Sequence, residues 1–154
     1  MKKDNQKAGR LLMKDCITPY LTFYGRAKEA SVFYADLFGM ENLAIQTYGE
    51  SEFPTPEGAE DYVIHCHLKR GNFQLMLADS TEPAPEVPRR GLSLMIDCES
   101  EEEIRRLYDS LLVEGRRIME LQDTFWGAKY AKVEDRFGFT WDLNYSKDQG
   151  QASD

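Results

Sequence analysis

Two stretches of the chain repeat their hydrophobic residues with the period of an α-helix, and a glycine follows each. The first covers residues 26–38 and is followed by Gly39; the second opens at Ser100 and is followed by Gly115. Their apolar stripes are Ala30, Phe33, Tyr34, Leu37 and Phe38 in the first, and Ile104, Leu107, Leu111 and Leu112 in the second. We therefore predict two helices, each ended by its glycine, with a capping box of Ser100 and Glu103 opening the second.

Eight shorter segments have the composition and the bounding turn residues of β-strands. They are residues 17–24, 42–49, 61–69, 73–79, 91–97, 116–121, 126–133 and 139–145. Residues 50–60 contain two prolines and a glycine and are predicted to form a loop. The order strand, helix and three strands occurs twice, separated by a proline-containing linker at residues 80–90. Because each half is too small to bury both faces of its sheet, we predict an α+β fold of two βαβββ modules lying side by side.

The last two predicted strands form a hairpin around residues 134–138, where Asp135 and Gly138 are turn formers. In the final strand Trp141 shares one parity with other aromatic and apolar residues, whereas Asp142 shares the opposite parity with polar residues. One strand face is therefore aromatic and the other polar. The polar face has a functional meaning only if the sheet is curved and that face lines a cup.

Several short motifs occur in an order known from one superfamily. They are Pro19-Tyr20-Leu21-Thr22-Phe23, then Glu29-Ala30, Phe33-Tyr34 and Leu37-Phe38-Gly39, then Thr124-Phe125-Trp126, and finally Asp135, Phe137-Gly138, Trp141 and Leu143-Asn144. Over about residues 16–146 the chain resembles the glyoxalase/bleomycin-resistance (vicinal oxygen chelate) superfamily, and within it the PhnB-like branch. The resemblance implies a curved eight-stranded mixed sheet with a concave cup and the helices outside, a small-molecule ligand and a homodimer.

The resemblance also divides the chain. Residues 1–15 are expected to be a polar lead-in, and residues 16–154 a single glyoxalase-like domain. Within the domain, module one covers about residues 16–79 and module two about residues 91–146, before a short polar tail. The two modules pair within one chain or swap between two chains, and the sequence leaves both arrangements open.

Enzymes of the superfamily hold one divalent metal in the cup, with His or Glu ligands on the first and last strand of each module. Matched to this chain, these positions fall on Pro19, on Gln74 or Met76, between Gly91 and Ser93, and on Asp142. Asp142 is the one carboxylate among them, and a stable site needs at least three good ligands. We therefore expect no resident cofactor, with a divalent metal as the alternative.

Two histidines lie two residues apart in the third predicted strand and share one of its faces. As functional groups, His65 and His67 would be ligands or a general base in the cup; as structural groups, they would hydrogen-bond their neighbours on the wet face of the sheet. A bound metal would use Asp142 with His65 or His67. Trp126 belongs to the Thr-Phe-Trp motif at the pocket rim of the branch. The candidate pocket residues are His65, His67, Gln74, Trp126, Tyr130 and Asp142.

Composition excludes several classes of partner. The 154-residue chain has a formal net charge of −8, which disfavours nucleic acid and anionic membranes. No apolar run approaches the ~20 residues of a membrane span, and no secretory signal is evident. The basic pairs at residues 89–90 and 116–117 are interpreted as solvated surface. Cys16, Cys66 and Cys98 lack C-x-x-C spacing and are expected as reduced, buried thiols of a cytoplasmic protein.

Three functions follow from the resemblance. The preferred interpretation is a PhnB-like protein that binds a small molecule in the cup, with no reaction assigned. The alternatives are a metal-dependent lyase, isomerase or dioxygenase, and a bleomycin-type antibiotic-binding resistance protein. Some relatives are described as demethylubiquinone methyltransferases, but this chain has no glycine-rich loop for S-adenosylmethionine. The fold alone does not decide among these activities.

Overall fold

The computed structural model describes Lys14 and residues 16–147, and these residues contain eight strands and two helices. The elements are β1 (Tyr20–Phe23), α1 (Ala27–Phe38), β2 (Glu41–Thr47), β3 (Val63–Arg70), β4 (Phe73–Asp79), β5 (Leu94–Asp97), α2 (Glu101–Leu112), β6 (Arg116–Asp123), β7 (Ala128–Glu134) and β8 (Thr140–Ser146). The twice-repeated order of strand, helix and three strands is confirmed. The predicted lead-in and polar tail lie almost entirely outside the described residues.

The strands form two four-stranded mixed sheets, with the orders β1-β4-β3-β2 and β5-β8-β7-β6. In each sheet the first and last strands of the module are parallel, and the other neighbours are antiparallel. This confirms the α+β fold of two βαβββ modules. Within the described part of the chain no ladder of hydrogen bonds joins the two sheets, so the eight strands are divided four and four.

The helices cover one side of each sheet, and the two modules share a core. Helix α1 packs on β3 and β4, and α2 packs on β7 and β8. At the junction the ring centroid of Trp141 lies 5.0 Å from that of Phe38 and 5.7 Å from that of Tyr34. Neither of the described helices has the length and apolar composition of a membrane span. The helix-facing sides of the sheets are thus buried, which leaves the opposite sides for a site.

The turn between β7 and β8 is built on one buried carboxylate. Asp135 is 3% exposed, and its Oδ1 accepts hydrogen bonds from the backbone N–H groups of Phe137 at 2.9 Å and Phe139 at 3.0 Å. Its Oδ2 accepts from Trp141 Nε1 at 2.8 Å and from the Tyr34 hydroxyl of α1. The predicted turn, in which Asp135 bonds its own backbone, is confirmed. The same side chain also ties module one to module two.

The two helix ends differ from each other. Gly39 ends α1 as predicted, with a left-handed φ of 63°. The prediction that Gly115 ends α2 is wrong: the helix stops at Leu112, and the left-handed residue is Glu114 with φ 58°. At the start of α2, Ser100 Oγ accepts from Glu103 N–H at 3.0 Å, which is one half of the predicted capping box. The Glu103 carboxylate accepts from Glu99 N–H at 3.2 Å, one residue before the N-cap that a capping box requires.

The cysteines are reduced but not all buried. Cys66 and Cys98 are buried, whereas Cys16 is exposed, contrary to the prediction. Cys16 precedes β1, which begins at Tyr20, so it lies outside the paired part of the sheet. Loss of hydration raises the pKa of the Cys66 thiol to about 11 and that of Cys98 to about 12. Both buried thiols are therefore protonated at neutral pH and unsuited to nucleophilic chemistry.

Candidate functional site

The side of the second sheet opposite α2 holds a nearly buried carboxylate, Asp142. Its neighbours Trp141 and Leu143 are buried in the shared core, and side chains alternate along a strand. Asp142 is 6% exposed, and both of its oxygens accept hydrogen bonds, Oδ2 from the Ser93 hydroxyl and Oδ1 from the Tyr130 hydroxyl. Because both donors are side chains of neighbouring segments, the carboxylate is held in one orientation.

Lys132 and Tyr130 define the electrostatics around this carboxylate. Lys132 is opposite Asp142 in the β7–β8 register, and its Nζ lies 3.8 Å from Asp142 Oδ1. This separation is too long for a hydrogen bond, so the two groups interact through charge. Loss of hydration, followed by the hydrogen bond to Asp142, raises the pKa of Tyr130 to about 12. The phenol therefore remains a proton donor to Asp142 at neutral pH.

A second polar cluster lies on the first sheet. His67 Nε2 and Gln74 Oε1 are 2.7 Å apart, and the His65 ring centroid lies 6.3 Å from that of Tyr20. Cys66, between the two histidines, is buried against the core, which confirms that His65 and His67 share the other face. The bond of His67 to Gln74 is the kind of contact that a structural role predicts. A functional role for this pair stays a prediction.

The donor set does not fit a resident divalent metal. Across Lys14 and residues 16–147, no group of three or more His, Cys, Asp or Glu side chains converges. His65 and His67 belong to the first sheet, and Asp142 belongs to the second. Asp142 already has two hydroxyls and the Lys132 ammonium beside it. Since a cation would have to compete with that ammonium, the chain's own groups disfavour a metal at Asp142.

One cavity borders the Asp142 cluster, and a second cavity adjoins the first. The first, here named the sheet cavity, has a volume of about 560 Å³ and is lined in part by Ser93, Arg116 and Lys132. The second, the junction cavity, has a volume of about 530 Å³ and lies where β1 meets β5 and the start of β8. The two cavities share Arg89, Arg90, Leu92 and Thr140 in their walls. One ligand can therefore extend from one cavity into the other.

The six predicted pocket residues fall into three places. Tyr130 and Asp142 meet beside the sheet cavity, and the histidines and Gln74 cluster on the other sheet. Trp126 lies in the turn between β6 and β7 and not in the strand predicted for it. Its side chain is 58% exposed and packs edge to face on Phe125. None of the six predicted residues, all of which the structure describes, lines the sheet cavity or the junction cavity; Asp142 reaches the wall of the sheet cavity only through its contacts with Ser93 and Lys132.

Several residues of this site were missed in the sequence. Ser93 and Lys132 were not singled out, and the basic pairs containing Arg90 and Arg116 were interpreted as solvated surface; three of these residues are cationic and line the sheet cavity. The parity of the seventh strand could have revealed Lys132, because it shares a face with Tyr130. Ser93 could not be linked to Asp142, 49 residues away, without the sheet order.

Comparison with known proteins gives consistent matches over most of the chain. A family model described as 3-demethylubiquinone-9 3-methyltransferase matches residues 15–144. Protein YjdN of Escherichia coli (strain K12) is 29% identical over 143 residues, which cover 86% of this chain and 97% of that protein. The crystal structure of protein PA1353 from Pseudomonas aeruginosa is 33% identical with a TM-score of 0.77, and covers 86% of this chain and 98% of that one.

Another similar structure is described as a PhnB protein. It is a putative 3-demethylubiquinone-9 3-methyltransferase, PhnB protein, from Bacillus cereus, 30% identical with a TM-score of 0.73, covering 84% of this chain and 98% of that one. A glyoxylase/bleomycin resistance protein/dioxygenase domain from Frankia sp. EAN1pec has 13% identity, a TM-score of 0.64 and coverage of 89% and 95%, and so shares the fold alone. With its order of elements, these matches show that the chain belongs to the PhnB-like branch of the glyoxalase/bleomycin-resistance superfamily, within the family described as 3-demethylubiquinone-9 3-methyltransferase.

Proposed function

We propose that this chain binds a small molecule in the cup of its open sheet faces, at the sheet cavity and the junction cavity. The observation that carries the proposal is the Asp142 cluster, a carboxylate 6% exposed and fixed by two hydroxyls beside a cavity of about 560 Å³. Acidic side chains on the wet face of a sheet are normally left in water. Small-molecule sites are usually concavities of ~300–1,000 Å³ with a few fixed polar groups. No reaction is assigned to the site.

A fragment screen tests this proposal. Ligand-observed ¹⁹F NMR with a library balanced between anionic, neutral and cationic fragments should yield hits at the sheet cavity. We expect Tyr130→Phe and Asp142→Ala to change the affinity of those hits by about fivefold or more, because Asp142 contacts Ser93 and Lys132, which line the cavity, and Tyr130 orients Asp142. Asp109→Ala, on the exposed face of α2, removes the same charge far from the cavity and should have no effect. A library without hits, or hits indifferent to both cavity variants, would contradict the proposal.

We propose further that the chain is a homodimer assembled through its open sheet faces. Outer strand β6 supports this, because it exposes Ile118, which lines the sheet cavity, and Met119, which pairs with Lys132 of the open face. Apolar side chains grouped on a surface mark interaction sites. Light scattering should give twice the mass of one chain, and Ile118→Lys with Met119→Lys should shift it towards one. Val32→Lys, at an exposed apolar position on α1, is the matched control. A single-chain mass at every concentration would refute the dimer.

A further inference from the structure

The sheet cavity concentrates positive charge in an acidic chain. Four of its eleven lining residues are Arg or Lys, and one is acidic. The whole chain, by contrast, has 19 Lys and Arg against 27 Asp and Glu. The lining cations are Arg89, Arg90, Arg116 and Lys132. Cations gathered in a concave site create a positive potential there even where the net charge of the protein is negative.

Nearby carboxylates neutralise this charge only in part. Glu134 pairs with Arg116 at 3.2 Å, but the Arg116 side chain is 66% exposed, and such surface pairs are weak. Asp142 lies 3.8 Å from the Lys132 ammonium without a hydrogen bond. Within the part of the chain that the structure describes, the side chain of Lys132 approaches Asp142 without a hydrogen bond, and the side chain of Arg90 is exposed and donates to no other described residue. Their N–H groups can therefore be satisfied by a ligand.

Arg89 marks the boundary between the two cavities. Its guanidinium donates to the carbonyl oxygens of Thr22 at 2.8 Å and Phe137 at 3.1 Å, and it lies 4.0 Å from the centroid of the Phe139 ring. This arginine is thus fixed in place and connects the modules. Beyond it, the junction cavity has largely apolar walls, which include Ile17, Pro19, Leu21, Leu92, Leu94 and Phe139.

We propose that the ligand is an organic anion whose oxyanion head group binds Arg90 and Lys132 in the sheet cavity and whose apolar body lies in the junction cavity. The inference rests on the proposed function and names its ligand class. Carboxylates and phosphates both offer the acceptor oxygens that Arg and Lys recognise. An oxyanion in this position would also compensate the cations that Asp142 and Glu134 leave uncompensated. A cationic drug of the bleomycin kind would meet the wrong charge here.

Two probes that differ in charge alone provide the test. Isothermal titration at low ionic strength compares 4-phenylbutyrate with 4-phenylbutanamide, which has the same apolar body and a neutral head. We expect the acid to bind about tenfold more tightly than the amide, and Lys132→Gln and Arg90→Gln each to weaken the acid about five- to tenfold without affecting the amide. Lys28→Gln, on the exposed side of α1, makes the same change in net charge outside the cavity and should leave both affinities unchanged. 4-Phenylbutylphosphonate then distinguishes the two kinds of head group.

The outcomes separate this inference from the proposed function. Preference for the acid that disappears in Lys132→Gln and Arg90→Gln supports the organic anion. Equal binding of acid and amide, or equal weakening by Lys28→Gln, overturns the anion while leaving small-molecule binding intact. If neither probe binds but neutral or cationic fragments bind at Asp142, the anion is again wrong and the site stands. If neither probe nor any fragment binds, the proposed function itself fails, and the anion fails with it.

Discussion

Asp135→Ala is expected to lower the free energy of unfolding by about 3–5 kcal/mol, since it leaves two buried and two part-buried donors without their acceptor. The carboxylate is 3% exposed. It accepts the backbone N–H groups of Phe137 and Phe139, the indole N–H of Trp141 and the hydroxyl of Tyr34. Hydrogen bonds to a charged acceptor are each worth ~1.5–3 kcal/mol, and part of the loss will be recovered by water entering the turn. Urea unfolding followed by tryptophan fluorescence measures the effect, because Trp141 is itself one of the donors.

Two variants show where the loss comes from. Tyr34→Phe removes one of the four donors and keeps the ring, so we expect a smaller loss of about 1–2 kcal/mol. Burial, with Asp135 as the next cause, raises the pKa of Tyr34, so its hydroxyl remains a donor over the accessible pH range. Asp109→Ala removes the same charge at an exposed position. If Asp135→Ala were no more destabilising than Asp109→Ala, the turn would not depend on this carboxylate.

This turn also shows why so much of the fold could be predicted from the sequence. Asp135, Gly138 and the alternating residues of the last strand act locally, and local signals also define α1 and β4, whose bounds match the prediction to within one residue. The edge strands were predicted less well. Strand β1 was expected over residues 17–24 but covers Tyr20–Phe23, because it pairs only with Met76–Asp79 of β4. The length of an edge strand is set by its partner, which the sequence of the strand does not contain.

The candidate site was harder to predict for the same reason. Alternation along β8 placed Asp142 on the face opposite Trp141 and Leu143, and the β7–β8 register confirms it, because those two pair with core residues whereas Asp142 pairs with Lys132. Its surroundings depend on register and on chain crossings: Lys132 faces it through the β7–β8 ladder, and Ser93 reaches it from the start of module two. Arg90, at the end of the linker, also lines the sheet cavity. Adjacent basic residues such as Arg89-Arg90 and Arg116-Arg117 have no periodic pattern in the sequence. Without the sheet order, they are therefore interpreted as solvated surface.

Gly115 illustrates a residue that was identified for the wrong reason. It was predicted to end α2, yet the left-handed conformation belongs to Glu114, with φ 58°. A Cβ on Gly115 would lie 2.4 Å from the carbonyl oxygens of both Leu111 and Glu134, which are backbone atoms that cannot rotate away. Glycine is therefore needed here so that the chain leaving α2 can pass close to β7. The contact holds the start of β6 against Glu134, at the wall of the sheet cavity.

Gly115→Ala is accordingly expected to lower the free energy of unfolding by about 2–4 kcal/mol, because the backbone of β6 must move away from β7. Glu114→Gly should change it by less than about 1 kcal/mol, since relief of the left-handed strain offsets the loss of a surface ion pair with Arg136. In the same urea titrations, Gly115→Asn shows whether glycine is needed for a left-handed conformation or for the small space beside β7. Asparagine is the residue that best replaces glycine in a left-handed position, so a requirement for conformation would make Gly115→Asn milder than Gly115→Ala. If glycine is needed because of the limited space, Gly115→Asn should destabilise the protein at least as much as Gly115→Ala. If Gly115→Asn is milder, the space argument is wrong and the conformation of Gly115 is what matters.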